Sequence, residues 1–199
     1  MIKITSDEFK IIAEYIHNIS GIKINQRKKY LIEGRLKNLL KKFGCSSYER
    51  LYLKAKSDKS VERLVVEAIT TNETLFFRDR WPFELLKHKL LPELIAKSPE
   101  GSPIRIWCAG CSTGQEVYSI AMVLKESLPN LKKHDITILG TDISATVISQ
   151  ANSGIYNKFE INRGLTQDRL KKYFISRGNK WKIRDDMRDM VIFKRHNLM

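Results

Sequence analysis

Apolar residues recur every three or four positions through the first third of the chain and then contract into short runs, and the change of period marks a change of architecture. Phe9, Ile12, Ala13, Ile16 and Ile19 mark one face of a first helix, which Thr5 to Glu8 opens as a capping box and Gly21 stops. A second helix is expected from about Gln26 to Phe43, with Leu36, Leu39, Leu40 and Phe43 inward and Gly44 after it. A shorter third spans about Ser47 to Ala55. The fourth begins near Ser57 and buries Val61, Leu64, Val65, Ala68 and Ile69. Four short amphipathic helices make a small bundle.

The pattern breaks at Thr70 to Asp79, because Thr70-Thr71-Asn72-Glu73-Thr74 is rich in side chains that compete with helical backbone hydrogen bonds. A linker or functional loop is expected there. Pro82 suits the first turn of a fifth helix carrying Phe83, Leu86 and Leu90, and Ser98 to Pro103 then punctuates. Ile104 to Ala109 reads as a strand, Gly110 to Gly114 as a tight loop, and Val117 to Leu128 as a helix. Ile136 to Thr141 is the next strand, with Asp142 at its end and Ser144 capping a helix through about Asn152. Met190 to His196 reads as a third strand. The alternation predicts a parallel sheet, hence an α/β fold behind the helical bundle. The expected division is 1–77 helical, 78–103 a linking helix and loop, and 104–199 the α/β part. Within the last, 154–189 is a charged insertion with a strand near Trp181 to Arg184.

Charge narrows the partners. The formal net charge of +14 calls for a polyanionic neighbour, whether nucleic acid, an anionic membrane surface or an acidic protein. Between Gln26 and Lys42 seven basic residues face the single acid Glu33. No apolar stretch approaches the roughly 20 residues needed to cross a bilayer, so no membrane insertion is expected. The N-terminus is not signal-like and the three cysteines are an odd number, which together point to a reducing cytoplasm.

The chemistry concentrates in Trp107-Cys108-Ala109-Gly110-Cys111-Ser112-Thr113-Gly114-Gln115-Glu116. Glycines at a strand-to-helix turn let the backbone approach a ligand, and the carboxyl ends of parallel strands are where such folds bind cofactors. The G-x-x-x-G spacing departs from the dinucleotide fingerprint, and Glu116 stands where it would repel a pyrophosphate. S-adenosylmethionine carries no phosphate and a positive sulfonium, so polar donors plus an acid suit it better. Asp142 is placed to accept from its ribose hydroxyls, its alternative role being helix capping. Cys108 and Cys111 form C-x-x-C without a second pair or a neighbouring histidine. His17, His88, His134 and His196 show no ligand spacing, and no metal site is expected.

Four motifs in order carry a resemblance. They are Thr70 to Asp79 (TTNETLFFRD), Ile106 to Ser119 (IWCAGCSTGQEVYS), Gly140 to Ile143 (GTDI) and His196 to Leu198 (HNL), and they are similar to those of the CheR-type chemotaxis receptor methyltransferases. The resemblance implies a small helical domain before a Rossmann-like class I methyltransferase domain with a small β-subdomain insertion. It implies methyl transfer from S-adenosylmethionine, leaving S-adenosylhomocysteine, to glutamate side chains on the acidic cytoplasmic helical bundle of a chemoreceptor. By the family pattern Asn72 and Thr74 contact the cofactor, and Arg78 lies beside the reacting centre as well as the cofactor. Gly110, Ser112 and Gly114 form the cradle, Glu116 meets the methionyl or ribose part, Asp142 the ribose, and Asn197 with Leu198 the adenine side. Phe76 and Phe77 would pack between the domains. Arg27, Lys28, Arg35 and Lys42 on the basic second helix would face the receptor.

Two departures from the family follow. Only about three of the family's seven strands are expected here, and a segment of the form R-N-V-x-I-Y-F is missing. The chain therefore reads as truncated after the third strand, of doubtful activity alone, with an open apolar sheet edge that a second copy or another chain would cover. The Arg177-Gly178-Asn179-Lys180 turn also lacks the longer glycine-rich loop of members that dock on a receptor tail, so this chain is expected to do without that tether. The competing readings are a nucleic-acid methyltransferase, which shares the fold and explains the charge, and a non-catalytic module that binds cofactor or partner without turnover. The Thr70 to Asp79 block favours the receptor enzymes, with no nucleic acid as partner.

Overall fold

The computed structural model describes residues 2–97, 99, 101–128 and 134–199, so Ser98 and Glu100 of the expected punctuation lie outside the described residues. By contacts the chain forms two units, Met1–Thr71 with Asn197–Met199, and Asn72–His196. Among the described residues no helix is long and apolar enough to cross a membrane.

The first unit is a helical bundle whose ends are written locally. Helix α1 (Ser6–Ser20) starts at Thr5, whose hydroxyl accepts from Glu8 N while Glu8 accepts from Thr5 N, and it stops at Gly21 with φ 72°. The second carboxylate oxygen of Glu8 accepts from Tyr48 N at 2.8 Å, so one acid serves the starts of two helices. The expected second helix divides into a 3₁₀ turn, Gln26–Lys28, and α2 (Lys29–Lys42). Helices α3 (Tyr48–Ser57) and α4 (Lys59–Ile69) are capped by Ser47 and Asp58. Ile16, Ile32, Leu36 and Leu51 are wholly buried at the centre of this bundle.

The second unit begins six residues before the boundary expected from the sequence, because Asn72 to Phe77 packs with it. Helix α5 (Trp81–Leu85) runs through a π turn, Leu86–Leu90, into α6 (Leu91–Lys97). The extra residue in that turn rotates the register. Leu91 is therefore buried, whereas Leu90, expected inside, is exposed. Strands β1 (Ile104–Ala109) and β2 (Ile136–Asp142) are joined through α7 (Gln115–Ser127), and α8 (Ala145–Ser153) follows β2. A small antiparallel sheet then forms from β3 (Ile155–Asn157), β4 (Phe174–Arg177) and β5 (Lys180–Ile183), in the order β3-β5-β4. Three short helices accompany it: α9 (Lys158–Asn162), α10 (Gln167–Tyr173) and α11 (Asp185–Arg188).

Strand β6 (Val191–Arg195) completes a parallel sheet of order β1-β2-β6. Its central strand owes its fit to Gly140, where a Cβ would meet Phe193 at 2.7 Å and Val117 at 2.9 Å. Only a residue without a side chain lets α7 lie this close to the sheet. Among the described residues β1 pairs with β2 alone, and Trp107 on it is 57% exposed, its indole N–H donating to Thr141 Oγ1 at 2.9 Å. Tyr156 ties the small sheet to α7 and to the turn after β1, since its ring meets Phe76 and Tyr118 edge-on and its hydroxyl donates to Thr113 O at 2.9 Å.

Candidate functional site

The turn after β1 is built from left-handed backbone. Gly110, Ser112 and Gly114 have φ of 79°, 49° and 91°. The amides of Gly110 and Cys111 both donate to Thr141 O, at 2.8 and 2.9 Å, which fixes the turn to the end of β2. Nothing lies within 4 Å of the position a Gly110 Cβ would take, so the turn has an open side. Gly114 has no such room, because a Cβ there would meet Ala151 at 2.9 Å and Phe193 at 3.0 Å. Left-handed backbone costs a non-glycine residue about 1–2 kcal/mol, so Ser112 needs anchors. It has two: its amide donates to Asp142 Oδ2 at 2.9 Å, and its hydroxyl donates to Asn72 O at 2.7 Å.

Asp142 is the hub. It is 8% exposed, and its other oxygen accepts from Ser144 N at 3.0 Å. Ser144 itself caps α8, accepting from Val147 N at 3.2 Å, so the capping alternative for Asp142 is filled by its neighbour. A carboxylate offers about four acceptor positions, and the two amides take two of them.

Glu116, in the first turn of α7, is exposed. Burial pushes the Cys108 thiol far up, with the charge and hydrogen bond of Glu116 adding to it, and burial followed by the charge of Asp142 pushes Cys111 up to about 12. Both thiols are buried and neutral near pH 7, which makes the C-x-x-C a packing feature and a poor nucleophile. Two carboxylates with serine and backbone groups suit a ligand that brings hydroxyls and positive charge. They do not suit a pyrophosphate.

The segment from Asn72 to Arg80 closes the other side of the turn. Phe76 is wholly buried, meeting Tyr156 and Phe174 edge-on, and Phe77 packs against Phe83 with ring centroids 5.1 Å apart. These aromatics, expected between domains, are part of the second unit's own core. Phe77, Asp79 and Arg80 adopt φ of 52°, 62° and 36°. The strained stretch is held by Ser119, whose Oγ accepts from Phe77 N at 3.0 Å, and by Arg163, paired with Glu73 at 2.9 Å. Arg163, then Arg78, keeps the Glu73 carboxyl below its usual range. Gly164 is needed for close approach, because a Cβ there would lie 1.7 Å from Phe76 O. Thr74 is half-buried in this stretch. The exposed Arg78 donates to Glu73 O at 3.3 Å and lies 3.9 Å from Asp79, so its guanidinium is only partly occupied.

The structure thus brings Asn72, Gly110, Ser112, Gly114 and Asp142 together, with Arg78 on the same segment as Asn72. Asn197 instead donates to Ile19 O at 3.1 Å and groups with the first unit beside the exposed Leu198. The residue before it belongs to the site's own unit, and His196 N donates to Asp142 O at 2.9 Å. Of the basic residues expected to face a partner, Arg27, Lys28 and Lys42 are exposed, the last 5.5 Å over the Phe43 ring. Arg35 is a correction. Its guanidinium donates to Ile69 O, to Thr70 O at 3.0 Å and to Thr71 Oγ1 at 2.8 Å, so it closes the carboxyl end of α4. Sequence reasoning assigned no role to Ser119, which only closes a motif, and passed over Tyr156, Arg163 and Gly164; the partners of all four lie tens of residues away and leave no local signal.

Comparison with known proteins covers nearly the whole chain. Residues 72–199 match the CheR methyltransferase SAM binding domain, and residues 7–70 match the CheR methyltransferase all-alpha domain. Chemotaxis protein methyltransferase 1 of Pseudomonas aeruginosa is 37% identical over 198 residues, which are 96% of this chain and 72% of the relative. Chemotaxis protein methyltransferase Cher2 of Pseudomonas putida is 38% identical over 199 residues, with the same two shares. The chemotaxis protein methyltransferase of Borreliella burgdorferi is 38% identical over 203 residues, which span all of this chain and 72% of that protein.

Proposed function

The chain belongs to the CheR methyltransferase family, the S-adenosylmethionine-dependent methyltransferases of chemotaxis, and on that premise we propose that it methylates glutamate side chains on the acidic cytoplasmic helical bundle of a chemoreceptor. The observation that carries the reading is the buried Asp142 at the end of β2, whose two oxygens each hold one backbone amide and so keep further acceptor capacity for a ligand's hydroxyls.

When bound, S-adenosylmethionine supplies a methyl group on a positive sulfur. In our reading Asp142 accepts from the ribose hydroxyls, Glu116 faces the methionyl ammonium, and Asn72 and Thr74 line the segment over the cofactor. An ionised carboxylate is already a nucleophile at pH 7, so no general base is required. The protein's work is to align that oxygen and exclude water. Arg78 suits alignment, because its exposed fork can hold one substrate oxygen while leaving the other to attack. Arg27, Lys28 and Lys42 would draw in the acidic bundle, giving a fast, salt-sensitive encounter in the cytoplasm.

The test is methyl transfer from labelled S-adenosylmethionine to a receptor cytoplasmic fragment and, separately, to RNA. Alkali-labile label released as methanol from the fragment is the expected result, since that marks a carboxyl ester. Label in the RNA would overturn the reading and favour a nucleic-acid enzyme.

A further inference from the structure

A second feature of the Asn72–His196 unit lies beside Phe77. There a cavity of about 240 Å³ opens to solvent, floored by Phe77, Phe83 and Val123 and rimmed by Arg80, Lys87 and Arg169. Its charges are unequally matched. Arg169 is fixed by two bonds to Glu126, at 3.0 and 2.8 Å, with its guanidinium 3.8 Å over the Phe77 ring. Glu84, also at the rim, pairs with His88 at 3.2 Å. Among the described residues neither Arg80 nor Lys87 makes an ion pair, and with the Glu84 carboxylate beside them the opening keeps one cation in excess.

Arg80 also holds φ 36°, a conformation an arginine adopts only when its surroundings impose it, and such outliers cluster at binding sites. The cavity is smaller than the roughly 300–1,000 Å³ of ordinary small-molecule pockets and has room for one side chain. Its wall is the segment that carries Arg78, whose Cα lies within about 8 Å of that of Arg80 by chain connectivity.

We propose that this cavity receives a second acidic side chain of the protein substrate, its carboxylate between Arg80 and Lys87 and its methylenes against Phe77 and Phe83. The site then selects substrates in which another acid lies near the accepting glutamate. This deepens the reading given under Proposed function and rests on it.

The test is initial-rate methylation of a receptor cytoplasmic fragment by the wild type, by Arg80→Ala/Lys87→Ala, by Lys87→Ala alone, which spares the strained position, and by Lys87→Arg. The double variant is expected to raise KM for the fragment about tenfold, Lys87→Ala less, and Lys87→Arg little. Expected to hold are kcat at saturation and the affinity for S-adenosylhomocysteine by calorimetry. An unchanged KM overturns the inference. So does a KM that moves only together with S-adenosylhomocysteine affinity, since the residues would then act by holding the cofactor segment. Arg78→Ala separates the two levels: if it abolishes transfer while the double variant matches wild type, only the cavity inference fails, and if the wild type transfers nothing to the fragment, the functional reading fails first.

Discussion

The helical bundle and the two segments around Asp142 are stabilised in opposite ways. In the bundle, caps from Thr5, Ser47 and Asp58 and a wholly buried centre of Ile16, Ile32, Leu36 and Leu51 satisfy local preference and packing together. In the Asn72 to Arg80 segment and the turn after β1, local preference is overridden. Phe77, Asp79, Arg80 and Ser112 are the non-glycine residues with left-handed backbone among those described, and all four fall in these two segments. Long-range bonds from Ser119, Asp142 and Arg163 hold them there. Strain is concentrated where a ligand would be aligned, and the surrounding core offsets it.

The sharpest way to break this contrast is Gly164→Ala. The new methyl would fall 1.7 Å from Phe76 O on a backbone with φ 92°, so the strained segment must move. Overpacking together with left-handed strain is expected to cost about 3–5 kcal/mol. Calorimetry should show S-adenosylhomocysteine affinity falling along with the melting temperature. Leu36→Ala removes a wholly buried side chain from the other region and should lower thermal stability by about 2–5 kcal/mol. The affinity of its folded form should stay at the wild-type value, and a parallel loss would erase the distinction between the regions. Thr5→Ala deletes a single cap and should cost about 1 kcal/mol in the same melting assay.

The difference in stabilisation also explains what the sequence revealed. Caps and 3.6-residue stripes are local, so α1, α3 and α4 stand close to where periodicity puts them. The turn after β1 was legible for a related reason: glycines between a strand and a helix, followed by an acid at the next strand end, have few other uses. What stayed hidden depends on remote partners. The inward Leu91 follows from a π turn that no pattern announces, and Arg35 leaves the basic face because the carbonyls at the end of α4 lie within its reach. The same holds for Phe76, whose place is set by Tyr156 and Phe174 far along the chain. The short helices α9, α10 and α11 span only one or two turns, too few for a period to show.

The smallest expected effect is one of pH, at the pair that anchors the cavity wall. Burial pushes the Glu126 carboxyl up, but the hydrogen bond and charge of Arg169 more than offset it, so its folded value lies below the ordinary one. Its contribution is therefore complete above the unfolded carboxylate value of about 4.3 and is lost as pH falls through the folded value. The pair is partly exposed, so the contribution should stay below about 1 kcal/mol. Urea midpoints between pH 3 and 7 should fall slightly less steeply on the acid side in Glu126→Gln than in wild type.

The account stands most directly on Asp142, and the measurement is titration of wild type and Asp142→Ala with S-adenosylhomocysteine by calorimetry, with circular dichroism to confirm that the variant is folded. Two hydrogen bonds from ribose hydroxyls to a buried carboxylate, at about 1.5–3 kcal/mol each, predict one bound molecule per wild-type chain and a loss of at least about a hundredfold in the variant. A folded variant that binds as tightly as wild type would contradict the account.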